Sequence, residues 1–129
     1  MRILLYLFLA GSLLVACQEN FDQRLQREAR EFTSNNCPQE PEPGSRLDSI
    51  TYDAVTRTLT SWYSLSPDNE TAVKDNAPLL RRKLLDQLIA DVNYKAVKDK
   101  SVIFRYVYRS QVSSTIIYDT QLKANEYKQ

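Results

Sequence analysis

The chain has 129 residues, with 17 lysines and arginines against 16 aspartates and glutamates, no histidine, two cysteines and two glycines. That length holds one small domain rather than two, and the balanced charge speaks against nucleic acid, whose readers carry a basic excess. The missing histidine removes the commonest general base and the commonest metal ligand together.

The first seventeen residues have the parts of an export signal. Arg2 supplies a short positive start, Ile3 to Val15 an apolar stretch, and small residues follow. The apolar stretch is about 13 residues, short of the roughly 20 that a membrane span needs. It therefore reads as cleaved rather than spanning. Leu14-Val15-Ala16-Cys17 closes it: a branched apolar residue, a tolerant position, a small residue and a cysteine.

That segment resembles the lipobox of bacterial lipoproteins. The resemblance implies that residues 1–16 are removed and that Cys17 becomes an acylated N-terminus carrying fatty chains such as palmitate. Each buried methylene adds about 0.8 kcal/mol, and more than one chain makes attachment stable. Gln18, in place of an aspartate, favours the outer membrane over the inner one by the same resemblance, with the periplasmic face as the expected side. Residues 17–129 then form one anchored domain whose side-chain charges sum to zero.

Asn20 to Asn36 reads as a helix. Asn20 can cap it with Gln23 three residues on, and Phe21, Leu25, Ala29 and Phe32 recur on one stripe. Arg24/Glu28 and Arg27/Glu31 are i,i+4 pairs on the wet side. Only two residues separate Cys17 from the cap, which places this helix close to the membrane unless it acts as a stalk itself. Cys37 follows. With Cys17 lipidated it is the last thiol, either a semi-buried residue at a helix end or the donor of an intermolecular disulfide.

Residues 38–45 hold three prolines and read as a semi-rigid connector. Leu47 to Leu65 reads as a hairpin, with strands at 50–52 and 58–65 around a turn at 53–57. Residues 66–70 read as a loop. Asn76-Ala77-Pro78 opens a second helix, whose Leu80, Leu84, Leu85, Leu88, Ile89 and Val92 form an apolar stripe. Arg81-Arg82-Lys83 near its start opposes the helix dipole and reads as a solvated face or a contact for something acidic. A lysine-rich connection at 95–100 leads to two alternating strands, 101–109 and 114–122, and the tail after Ala124 is expected to fray.

The expected fold class is therefore α+β: a two-layer αββαββ arrangement, with a four-stranded, mostly antiparallel sheet covered by helices on one face. Alternation puts Trp62, Ile103, Arg105, Val107 and Arg109 on the other face. Trp62, Arg105, Val107 and Arg109 make the candidate interaction face, since Trp, Tyr and Arg are the residues that dominate binding interfaces.

No catalytic residue, metal site or cofactor is expected. The mature chain keeps one glycine, Gly44, so no phosphate-binding loop exists. No serine sits in a nucleophile elbow or a Ser-x-x-Lys setting. What the residues leave is a non-enzymatic envelope lipoprotein that binds a protein partner as an accessory part of a membrane-associated assembly. Two alternatives stay open: an inhibitor or immunity-type lipoprotein, and a carrier of a small ligand or lipid. Beyond the lipobox the body is similar to small uncharacterised envelope lipoproteins, which implies no activity.

Overall fold

A computed structural model describes residues 19–128. The signal segment, the cleavage region and Cys17 lie outside the described residues.

Helix α1, Phe21–Asn36, begins where its local chemistry dictates. The Asn20 side chain accepts from the Gln23 amide at 2.8 Å, and the Gln23 side chain accepts from the Asn20 amide at 3.2 Å. Two otherwise unpaired amides are satisfied reciprocally, an arrangement worth about 1 kcal/mol. Leu25 and Ala29 are buried against the sheet, while Arg24–Glu28 and Arg27–Glu31 pair on the surface.

The proline-rich segment departs from its reading as a spacer. Gln39–Glu42 forms strand β1 and pairs antiparallel with β2, Ser45–Asp53. Gly44, at φ +81°, closes the turn between them, a conformation that costs a side-chain-bearing residue about 1–2 kcal/mol. Proline lacks an amide hydrogen, which an edge strand tolerates when that side needs no partner. The sheet consequently has five strands, not the four expected. β3, Thr58–Leu65, completes the expected hairpin with β2, and Asp53 accepts from the Val55 amide to shape its turn.

Three further elements lie where loops or a frayed tail were expected. Ser66 caps α2, Pro67–Asp75, with Pro67 in its first turn; the helix begins in the stretch 66–70 read as a loop and runs beyond it. After α3, Ala77–Ala90, a 3-10 turn at Val92–Tyr94 runs into α4, Lys95–Asp99. The C-terminal tail forms α5, Ala124–Tyr127, because Tyr127 is buried and its hydroxyl donates to the Val102 carbonyl at 2.7 Å. That buried ring holds the tail in place.

Strand order is β1-β2-β3-β4-β5, with β4 at Ile103–Ser110 and β5 at Ile116–Leu122. All pairs are antiparallel except β3/β4, which run parallel. A parallel pair needs a long crossover, and residues 66–102 supply it. Tyr52, Leu59, Phe104 and Leu122 align in register across four strands. With Leu25, Ala29, Leu84 and Leu88 of α1 and α3 they form one core on one side of the sheet. Among the described residues the helices therefore share one face, and the opposite face is left to side chains alone.

The basic run on α3 is accounted for by this packing. Arg81 donates to Glu126, to the Gln121 carbonyl and to Thr120, Arg82 pairs with Asp86, and Lys83 reaches Glu42 at 2.8 Å. Three cations placed against the helix dipole each meet an acid, and Arg81 and Lys83 tie α3 to both ends of the sheet.

Candidate interaction surfaces

The uncovered sheet face brings the sequence-selected residues together. In the β3/β4 register Thr60 aligns with Arg105, Trp62 with Val107 and Ser64 with Arg109. The Arg109 and Arg105 guanidinium carbons lie 5.2 and 5.8 Å from the Trp62 ring centroid. Each such cation–ring contact is worth about 0.5–1 kcal/mol at a partly exposed site.

These charges are already engaged within the face. Arg105 makes a two-pronged bond to Asp119 at 3.0 and 2.6 Å, which holds its guanidinium more firmly protonated. Arg109 lies 3.7 Å from Asp48, which also takes Arg46 at 2.7 Å and a hydrogen bond from the Ser64 hydroxyl. The Trp62 indole N–H donates to Thr51 at 2.9 Å. Val107 belongs to this face as alternation requires, but it is 0% exposed. It lies opposite Trp62 and between the two arginines, so it supports the face and offers no surface to a partner. Ile103 is only half-buried on the same strand.

A second surface escaped the sequence reading. Between α2, α3 and the β1/β2 edge lies an open groove of about 670 Å³. Val73, Leu79, Leu80 and Leu84 line one wall, and Tyr63 and Tyr108 form its floor. The two rings stack at 4.7 Å and 11° between planes. Leu79 is 69% exposed at the rim, and the Lys83–Glu42 pair crosses one end. Burial pushes the Tyr63 hydroxyl up to about 12, with Tyr94, Glu42 and Cys37 adding in the same direction. It therefore stays a neutral donor at physiological pH. The stretch Ser66-Pro67 carried the missed signal, a cap residue before proline at the first helical position.

Cys37 is a free, half-buried cysteine at the end of α1. Burial raises its thiol above the ordinary range, and the Asp48 carboxylate adds to this. A thiol so placed is a poor nucleophile at neutral pH. Among the described residues no group of three or more histidines, cysteines or carboxylates is placed to hold a metal ion. No helix among them is long and apolar enough to cross a membrane.

The fold recurs in solved structures of low sequence identity. A Pseudomonas aeruginosa protein described as secreted superposes with a TM-score of 0.73 at 14% identity, over 82% of this chain and 91% of its own. EpsS, the pilotin of the Vibrio vulnificus type 2 secretion system, gives 0.64 at 15% identity over 82% and 90%. The Vibrio cholerae type II secretion pilotin AspS gives 0.57 at 13% identity over 88% and 97%. At these identities the likeness is one of fold. No curated protein matches the sequence. The family model described as a domain of unknown function, DUF8479, matches residues 20–118, nearly the whole folded body, and the chain belongs to that family.

Proposed function

We propose that this chain is a lipid-anchored envelope protein serving as a non-enzymatic accessory component of a membrane-associated assembly, and that it works by holding a segment of an envelope protein partner. The observation that carries the reading is the groove between α2, α3 and the stacked Tyr63/Tyr108 pair. Its lining sets apolar Val73, Leu79, Leu80 and Leu84 beside polar Asn69, Asn76 and Gln87 and the charged Lys83 and Glu42, and it opens to solvent, which suits an amphipathic peptide segment better than an enclosed small ligand. Support for the class comes from the fold, shared with two pilotins of secretion systems over nine tenths or more of their chains. The lipobox at Leu14–Cys17 supports the anchor and the envelope location.

The face around Trp62, Arg105 and Arg109 is proposed as a second contact surface. Its charges are largely engaged with one another, so a partner there must match an almost neutral patch. Site-specific photo-crosslinking in intact envelopes separates the two surfaces. A crosslinker replacing Leu79 is expected to trap one discrete envelope protein, and Leu80→Glu is expected to abolish that adduct. An adduct formed from Trp62 alone would move the partner to the outer face. The absence of any adduct from either position would refute the protein-binding role.

A further inference from the structure

We infer that the end of the domain where α1 begins is a docking surface for an anionic phospholipid bilayer, which fixes how the body stands on the membrane. The inference rests on the lipid-anchor reading above and adds an orientation to it. Cys17 precedes the first described residue, Glu19, by two positions. Phe21, the first residue of α1, lies four positions from Cys17, a span of at most about 14 Å. An acylated Cys17 therefore keeps the start of α1 within that reach of the headgroups, so that this end of the domain faces lipid.

What surrounds it carries a small net positive charge, with one exposed apolar tip. Lys100 lies 5.8 Å from the ring centroid of Phe21, the first residue of α1. Next to Lys100, Ser101 receives the Lys128 ammonium at 2.8 Å. On the other flank, Arg57 sits 3.7 Å from Asp22 in the first turn of α1. Its carbonyl accepts from the Ile103 amide, which fixes the β2–β3 turn beside the start of β4. At the tip of that turn Val55 is 94% exposed.

Three of the four acids nearby are paired with a cation. Asp22 serves Arg57 and the Tyr52 hydroxyl, Asp53 serves its own turn, Asp99 pairs with Lys95, and Glu19 pairs with Arg27. Among the described residues, neither Lys100 nor Lys128 forms an ion pair with a carboxylate. Two uncompensated ammoniums on flexible stems, with a valine between headgroups, match a surface of phosphate esters.

The test uses the mature acylated protein reconstituted into vesicles of phosphatidylcholine alone or with about 30 mol % phosphatidylglycerol. A spin label at Val55→Cys, in a Cys37→Ser background, reports access to a water-soluble nickel relaxant. A label at Ser113→Cys, on the opposite end of the sheet, serves as control. Phosphatidylglycerol is expected to lower nickel access at Val55 several-fold and to leave Ser113 unchanged. The protection is expected to be lost in Lys100→Glu/Lys128→Glu and at about 0.5 M salt, where charges are screened within a few ångströms. Salt acts on the unaltered fold, so the outcome does not hinge on how the double variant folds. Protein that floats with the vesicles while Val55 stays equally accessible in both lipids overturns the docking surface and leaves the anchor standing. Protein that fails to float in either lipid overturns the anchor, and the orientation with it.

Discussion

Alkaline pH is expected to unfold this domain well before a protein with ordinary tyrosines. Tyr63, Tyr106 and Tyr108 lie on the inner face of β3 and β4, with Tyr63 and Tyr108 paired in register and stacked. Burial pushes the Tyr63 hydroxyl up to about 12 and raises Tyr106 and Tyr108 for the same cause, with the neighbouring tyrosines adding to it. In the unfolded chain each titrates near pH 10. Below that, neither state loses the proton and the full stability is present. As pH rises from about 10 toward 12 the unfolded chain ionises while the folded one does not, so stability falls by up to about 1.4 kcal/mol per pH unit for each ring. At pH 11 these three groups together remove about 4 kcal/mol, from a total of roughly 5–15 for a domain of this kind. Urea unfolding at pH 8, 10 and 11 reads the loss directly. Tyr108→Phe, which cannot ionise, is expected to recover about a third of it. An identical alkaline loss in wild type and variant, or phenolate absorbance showing every tyrosine titrating near 10 with the fold intact, would refute the buried-hydroxyl account.

Three local predictions follow from the packing. Gly44→Ala is expected to cost at least about 1–2 kcal/mol from backbone strain alone, because a Cβ there meets Ser66 Oγ at 2.6 Å and Asn69 Nδ2 at 2.8 Å; an unchanged urea midpoint would contradict this. Tyr127→Ala is expected to cost about 3 kcal/mol and Tyr127→Phe about 1, since the ring meets Phe104 edge-on at 5.4 Å and the hydroxyl serves Val102. A tail that merely frays would give no change in either variant. Cys37, its thiol raised by burial and by Asp48, is expected to alkylate more slowly than a free cysteine at neutral pH and to accelerate as pH rises. Reaction at the free rate, or a disulfide-linked dimer on a non-reducing gel, would contradict a shielded thiol.

Much of the fold was legible because its signals are local. The Asn20/Gln23 box specified the start of α1 within the residues that form it. Period-two alternation fixed β3 and β4 and put Trp62, Arg105 and Arg109 on one face. What stayed hidden depends on distant partners. The proline-rich segment became β1 because β2 was there to pair with it, and three prolines by composition argue for a spacer. α2 fully buries none of its residues and is held by its Ser66 cap, by Val73 against the core and by Asn69 and Glu70 bonds to the sheet, so no apolar periodicity announced it. The tail is held by Tyr127, which reaches the residue before β4, 25 residues back, and by Glu126 and Lys128, which bond to Arg81 and Ser101. The groove draws on residues from Pro41 to Tyr108, and only the strand order and the unrecognised α2 bring them together. Burial of Val107 had the same origin: alternation gives its face, while its place opposite Trp62 depends on the neighbouring strand.

The anchor underlies the location, the orientation and the accessory role alike. Intact-mass spectrometry of the mature protein, extracted from envelopes of cells expressing the full chain, measures it at the first residue. The expected result is a polypeptide beginning at Cys17, with residues 1–16 gone and a mass increment of a diacylglyceryl group and its fatty acids on that cysteine. An unmodified Cys17, or an N-terminus elsewhere in protein recovered free of membrane, would contradict the account at its root.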